Sequence, residues 1–578
     1  MSDGRPGESY LLIDVGHVLT HVAHLALVDD EMRLVAVAEA ATTAGAEGGL
    51  LDGVRRAVAN LEMLAGHRLL GSEGELRRPA DEGTGVDGAV LTASLAPALR
   101  VALVGITQEL SLASALRAAA VPFVSVVRTV CLEASERRWT SRDLEALLAA
   151  TPDVVVMVGG VDGGPVSPLR DLGEVLSTAY SVLPESERPT IVYAGNERAQ
   201  RTLVAAFAGI TELRLVANVR PSADVENLGE LRAALSRLFY RNRLGQTEDL
   251  RHLATWAGAS PLYDLDALAR TLRFLARRYG LAGGVLGVDI GGNGTRTLRV
   301  EPQGPALTWG APHGTGAALA ALRSLSDPSA VVRWLKSDLS WAEVWDRLSN
   351  TEVRPAGVPQ TEEDWDLQQA AAREALSRSW HQAAEAWRAC SGEVITGSDM
   401  IVARGSVLNH ARTPGQAALI LMDALEPAGL LRLTLDWANL LPGLAGLAQI
   451  DALAAVQVLD DDAILELGTL VAPRGYARQG REALQVRMMV QGETRTELTV
   501  PGGCVRRLPL GVNERARLEV YPAPGMDLGV GRGAEGLVAD VRGGELGVII
   551  DARGRPLRLP PEDGERRAVL ERWSQEIE

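Results

Sequence analysis

The most constraining feature of this 578-residue chain is a pattern that occurs twice. Leu12-Ile13-Asp14-Val15-Gly16-His17-Val18-Leu19-Thr20 is an apolar run that ends in Asp-x-Gly and turns back into a second apolar run. Leu286-Gly287-Val288-Asp289-Ile290-Gly291-Gly292-Asn293-Gly294-Thr295 repeats it about 275 residues later. An isolated Asp-x-Gly at a strand end is usually only a turn. Here each copy opens a similar series. In the first half the spacing predicts strands over Tyr10–Val15, Val22–Val28 and Met32–Ala38, then a helix with Leu51, Val54, Val58, Leu61 and Leu64 on one face. In the second half strands are predicted over Val285–Ile290, Thr297–Val300 and Ala306–Trp309, followed by helical patterns.

After each meander come Val-rich runs alternating with helical stretches: Gly88–Thr92, Val101–Val104, Phe123–Val127, Val154–Val158, Thr190–Tyr193 and Arg214–Val219, and later Glu393–Thr396 and Leu431–Leu435. Continuous apolar strands of this kind are buried on both faces and mostly parallel. A strand meander followed by β/α units, occurring twice, is the internal duplication of the α/β, RNase H-like, two-lobed fold of actin, heat-shock chaperones and sugar kinases. The expected division is a first lobe over 8–260, a second over 261–460 with a polar helical insertion at 317–390, and a C-terminal β-rich domain over 461–578 closed by a helix at Glu565–Glu576. Leu265, Leu268, Leu272 and Leu275, with Gly280 beyond them, predict a buried helix of the kind that crosses between lobes in this fold.

The chemistry follows from the hairpins. Glycine lets the turn approach a phosphate and present its N–H groups. An Asp at the strand end holds Mg²⁺, usually through water. Asp14 and Asp289 are therefore the expected metal carboxylates. Gly16, His17, Thr20, Gly291, Gly292, Asn293 and Thr295 are the expected phosphate contacts. Val394-Ile395-Thr396-Gly397-Ser398-Asp399, followed by Gly405, reads as an adenosine site, with Gly397, Ser398 and Gly405 against the nucleoside; by itself it would be an ordinary strand-to-helix turn with a cap. Gly159-Gly160-Val161-Asp162-Gly163-Gly164 could line a cleft or simply connect strand to helix. His17, His21 and His24 have helical ligand spacing, but in a hairpin His17 and His21 stand about 13 Å apart and His24 points to the other face, so no metal site is expected there.

Composition narrows the partners. The formal charge of -16 argues against nucleic acid or an anionic membrane. Cys131, Cys390 and Cys504 form no CxxC pattern and read as buried thiols of a reducing, cytoplasmic compartment. The polar start and the short Leu11-Leu12-Ile13 run do not read as a signal peptide. Leu440–Leu459 is interrupted by Pro442, Gln449 and Asp451, which indicates buried helix rather than a membrane span.

The chain resembles the glutamate mutase L family, actin-like ATPases encoded with adenosylcobalamin-dependent mutases. The resemblance runs over nearly all residues. It rests on Asp14-Val15-Gly16, Leu91-Thr92-Ala93-Ser94 with Leu99-Arg100-Val101, Val158–Gly164, Tyr193-Ala194-Gly195-Asn196, Val288–Gly292, Ile395-Thr396-Gly397-Ser398, Arg412–Ala417 and Leu546–Pro556. It implies ATP and Mg²⁺ binding, and a role as chaperone or reactivating factor for a cobalamin-dependent mutase, the protein client. Three departures stand out. His17-Val18 replaces Ser-Thr, Asn293-Gly294-Thr295-Arg296 replaces Ala-Thr-Thr-Asp, and the 262–279 helix starts with no Gln or Glu to orient an attacking water. An Mg-dependent ATPase is the leading expectation. A degenerate nucleotide-binding scaffold is the first alternative. A small-molecule kinase on the same fold is the second, with Asp162 the one nominated substrate acid. The sequence leaves self-association, including filament formation, open.

Overall fold

A computed structural model describes residues 8–44, 48–81, 83–121, 123–132, 140–304, 306–316, 319, 329–391, 397–478, 480–529 and 536–578. The expected Glu393–Thr396 strand thus lies outside the described residues. Contacts divide the chain into two compact units: one of Met1–Ser94, Leu253–Glu385 and Val394–Glu578, the other of Leu95–His252 with Ala386–Glu393.

In the larger unit the duplication appears as strand order. Strands β1 (Ser9–Val15), β2 (Leu19–Val28) and β3 (Glu31–Ala41) form an antiparallel meander, and β4 (Gly88–Ala93) pairs parallel with β1. The smaller unit carries β5 (Leu99–Gly105), β6 (Val124–Cys131), β7 (Val154–Val158), β8 (Thr190–Tyr193) and β9 (Leu213–Leu215) as a parallel sheet ordered β6-β5-β7-β8-β9. Its β7 is buried along its whole length, which is why it reads as an unbroken Val run. The chain then returns to β10 (Leu262–Tyr263), parallel to β4, to complete the order β3-β2-β1-β4-β10.

The second copy repeats that order. Strands β11 (Val285–Ile290), β12 (Thr295–Val300) and β13 (Leu307–Ala311) form the meander, β14 (Met400–Arg404) lies parallel to β11, and β15 (Gly429–Asp436) lies parallel to β14. The result, β13-β12-β11-β14-β15, matches the first sheet strand for strand in order and direction. This duplicated, two-lobed α/β architecture is the actin-type fold. The second sheet continues through β16 (Ile464–Ala472), antiparallel to β15, to Val548–Asp551 and Val505–Leu508. A separate antiparallel sheet of Glu482–Val490, Glu493–Pro501, Arg515–Pro522 and Leu537–Arg542 buries Leu484, Val486, Met488, Leu518 and Val520 on one face.

The helix Asp264–Arg278 buries Leu265, Leu268, Leu272 and Leu275, has acids in its first turn and Arg277 and Arg278 in its last, and is followed by Gly280 at φ 64°. That charge order complements the helix dipole. The Leu440–Leu459 stretch is two helices, Leu441–Leu447 and Ala452–Val458; the Asp451 side chain accepts from the N–H of Ala454 and starts the second. No helix among the described residues is long and apolar enough to cross a membrane.

Candidate functional site

The two Asp-x-Gly turns close in the same way. The N–H of Gly16 donates to the carbonyl of Leu19 at 3.0 Å, and the N–H of Gly291 donates to that of Gly294 at 3.0 Å. A Cβ on Gly16 would stand 2.6 Å from the Leu19 oxygen, so this tight turn needs glycine. The tips meet: a Cβ on Gly292 would fall 2.6 Å from Val18 Cγ2. The N–H groups of His17, Val18, Gly292 and Asn293 enter no backbone hydrogen bond among the described residues.

Between the tips lies a cavity of about 100 Å³ whose lining includes Asp14, Gly16, His17, Asp289, Gly291, Gly292, Asn293 and Gly405. Eight of the residues expected at a nucleotide site therefore converge. Thr20 and Thr295 do not. They pair with Val15 and Ile290, and because side chains alternate across a strand they share the core face of those residues. Thr20 Oγ1 is 2.9 Å from Thr42 Oγ1, which donates to the Gly16 carbonyl, so it braces the turn from behind.

Gly397 and Ser398 are also elsewhere. They line a different cavity, with Trp380 and Arg555. The reason is register. The strand in the adenosine-site position is Met400–Arg404, with Met400 opposite Val285 and Arg404 opposite Asp289. Residues that precede Met400 therefore sit at the far end of the sheet from Asp289. Gly405, the residue after the strand, is the glycine at the cleft; its φ is 117° and a Cβ there would meet the Ile290 oxygen at 2.3 Å. Asp162 belongs to the smaller unit, where its Oδ1 accepts from Asn218 Nδ2 at 2.9 Å and the Glu197 N–H at 3.1 Å. It organises the glycine-rich loop there.

Three residues that carry much of the electrostatics, Arg404, Asp264 and Asp436, are not apparent in the sequence; they act together with Arg296, the basic residue that the second turn carries in place of an acid. Arg404 donates to Asp14 Oδ2 at 2.6 Å while Thr92 donates to Oδ1 at 2.7 Å. Burial alone would raise the Asp14 carboxyl; the Arg404 guanidinium and the Thr92 hydroxyl outweigh it and hold the group below the usual carboxylate range. Asp264 follows β10 at the same sheet end as Asp14; it accepts from Arg296 at 2.7 Å, and burial and the neighbouring Asp14 and Asp289 keep its carboxyl raised despite Arg296. Arg296 also reaches Asp289 Oδ2 at 3.4 Å. Asp436 is fully buried, accepts from the N–H groups of Leu440 and Leu441, and is pushed up by burial to about 6, against the pull of Arg404.

The remaining rim is a histidine pair about one acid. Glu39 lies 3.2 Å from His21 Nδ1 and 3.3 Å from His410 Nε2. The Glu39 hydrogen bond raises the His410 pKa. His17, by contrast, is lowered to about 4 by burial and the nearby Arg296, so near neutrality it is an uncharged imidazole, with Nδ1 3.2 Å from Ser94 Oγ. Among the described residues no three or more His, Cys, Asp or Glu side chains are gathered as a ready-made ligand set.

Beyond Gly357, Val358 and Pro359, which line both spaces, lies a second cavity of about 330 Å³ between the helices Trp341–Val353 and Glu362–Ser391 of the helical insertion. Gly314–Gly316 connects it to the second turn, with the N–H groups of Thr315 and Gly316 donating to the carbonyls of Gly291 and Gly292.

A family model described as MutL protein matches residues 10–463. No curated protein matches the chain. Among solved structures, nucleotide-free acetone carboxylase is similar at 10% identity over 86% of this chain and 81% of that one, with a TM-score of 0.29. A diol dehydratase-reactivating factor in nucleotide-free form is similar at 12% identity over 78% of this chain and 99% of that one, with a TM-score of 0.27. Component A of the Acidaminococcus fermentans (R)-2-hydroxyglutaryl-CoA dehydratase is similar at 9% identity over 77% and 99%, with a TM-score of 0.25. Likenesses this remote add nothing to what the strand order shows.

Proposed function

The chain belongs to the MutL protein family, the glutamate mutase L proteins, and from that premise we propose that it is an actin-like ATPase that clamps Mg-ATP between its two Asp-x-Gly turns and uses the nucleotide state to act on a cobalamin-dependent mutase. The observation that carries the nucleotide reading is the convergence of Asp14, Asp289 and both turns on one cavity. The client comes from the family resemblance alone.

The free N–H groups of the turn tips suit phosphate oxygens. The charges ask for a cation. Asp14, Asp264, Asp289 and Asp436 outnumber Arg296 and Arg404, so a polyphosphate would be repelled unless a divalent ion entered with it. Asp289 is the better fit for a hydrated Mg²⁺, which would neutralise phosphate charge, because only its Oδ2 is engaged, by Arg296. Both oxygens of Asp14 are already committed to Thr92 and Arg404, so it would act through water. A cavity of about 100 Å³ holds phosphates but not a nucleoside; the adjoining space of about 330 Å³ has the size of a small-ligand pocket. We place the nucleoside there, beside Thr315 and Gln368, which also line the smaller cavity, rather than at Gly397 and Ser398.

Asp264 stands where this fold places the group that orients the attacking water, and its raised carboxyl suits a base. Replacing it with Asn should slow phosphate release by about 10²–10⁴-fold and leave Mg-ATP binding intact. Release at the unchanged rate would remove Asp264 from that role. The arginine beside Asp289 favours one other reading, the scaffold that binds without turnover. Tight Mg-ATP binding with no phosphate release from the unaltered protein would select it.

A further inference from the structure

The tail Leu546–Pro556 and the Gly397-Ser398 turn, both distinctive in the sequence, play no part in the nucleotide cleft. They come together at the other end of the second sheet, around a cavity of about 340 Å³. Its floor is apolar: Leu286 of β11, Ile401 of β14 and Leu431 of β15 are all buried beneath it. Its walls hold three arginines, Arg299, Arg474 and Arg555, against one acid, Glu426.

The chemistry behind Arg555 makes that imbalance matter. Asp551 accepts from Arg553 at 2.9 Å through each oxygen and from Arg555 at 2.5 Å. Asp423 accepts from Arg553 at 2.6 Å and from Arg373 at 2.8 Å. Three guanidiniums thus share two carboxylates, and all five groups are buried. An uncompensated charge in such surroundings is costly, and its field reaches further than in water. The chain of ion pairs ends at Arg555, and Arg555 opens into the cavity. Glu426 is the one acid of the lining, held by the Leu557 N–H at 2.7 Å, and its single charge does not match the three arginines. Arg299 is tied to Glu301 at 3.4 Å and lies 3.4 Å from Ser398 Oγ. Arg474 is exposed at the mouth and has no ion-pair partner among the described residues.

We propose that this cavity is a second ligand site, separate from the nucleotide cleft, for a small molecule with an anionic head and an apolar body. The head, a carboxylate or a phosphate, lies among Arg299, Arg474 and Arg555, where paired guanidinium N–H groups match either oxyanion. The body rests on the aliphatic floor with Trp380 at its side. The volume falls within the range of small-molecule pockets.

Saturation-transfer NMR and calorimetry on the full chain test this with three probes of one shape: benzoate, phenyl phosphate and the neutral benzyl alcohol, each with and without saturating Mg-ATP. At least one anion should bind at least about tenfold tighter than the alcohol, as a charge-assisted pair to arginine requires. Whichever anion binds better identifies the head group. Arg474→Glu, at an exposed position that leaves the core undisturbed, should abolish anion binding, and Arg299→Gln should weaken it at least about tenfold, both with Mg-ATP affinity unchanged. Equal binding of alcohol and anions, anion binding unaltered by Arg474→Glu, or displacement of the anion by ATP would each overturn the proposal. Loss of ATP binding in the unaltered protein would count against the nucleotide reading but not against this one.

Discussion

Replacing Arg404 with Met should destabilise the larger unit by about 3–5 kcal/mol at pH 7, the cost of breaking a buried ion pair from one side. Asp14 and Arg404 are both nearly inaccessible, and the 2.6 Å contact between them is what offsets the burial of the Asp14 carboxylate. Met fills similar space, so the effect isolates the charge. The second variant, Asp14→Asn with Arg404→Met, removes both charges of this pair and should recover a substantial part of the loss, the remainder being the pull that Asp436, 3.9 Å from Arg404, loses in both variants. In the unaltered protein Asp14 has a lowered carboxyl, so its contribution is present above its unfolded value of 3.8 and is lost as the pH falls through the folded value. Without Arg404 the folded carboxyl is raised by burial instead. The penalty is then full well above the raised value and fades as the pH falls toward 3.8. Urea unfolding followed by tryptophan fluorescence reads this directly, since of 11 tryptophans all but Trp139 and Trp387 fall in the larger unit. A loss under about 1 kcal/mol, the size of an exposed pair, or no recovery in the double variant would refute the reasoning.

Gly405→Ala should cost about 1–3 kcal/mol in backbone strain alone, with a further loss from the 2.3 Å approach of the new Cβ to the Ile290 carbonyl, and should lower nucleotide affinity. Gly310→Ala, where no atom lies within 4 Å and φ is not positive, should stay within about 0.5 kcal/mol in the same thermal-shift experiment; equal effects would contradict the cleft geometry. His24 is buried, has no hydrogen-bond partner on either nitrogen, stacks on His67 at 5.0 Å, and is lowered by burial from 6.5 to about 4. The unfolded chain therefore takes up a proton before the folded one does, and stability should fall by at most about 3 kcal/mol as the pH drops from 6.5 toward 4. His24→Leu should flatten that slope; an unchanged slope would assign it to other groups.

Much of the fold is legible because local pattern and tertiary role agree. β7 and β11 are buried along their lengths; β7 reads as an unbroken apolar run and β11 as an apolar run interrupted only by Asp289, and both Asp-x-Gly turns announce themselves through glycine. What stays hidden depends on pairings no local pattern carries. Arg404 meets Asp14 across 390 positions of chain. Asp264 follows a strand of only two residues, too short for any alternation to mark, and the expectation of a Gln or Glu there does not extend to it. Thr20 and Thr295 look like cleft residues because they are adjacent to the turns, yet period-two alternation turns them inward. Gly397 looks like the adenosine position because Thr-Gly-Ser resembles a strand end, whereas Met400–Arg404, an apolar run closing on Arg-Gly, is the strand that ends at the cleft.

Calorimetric titration of Mg-ATP into the unaltered protein and Asp289→Ala bears most directly on the clamp. Saturable heat from the former and none from the latter, with circular dichroism unchanged, is the expected result. Equal affinities for the two proteins would mean that the acidic turns do not grip the nucleotide.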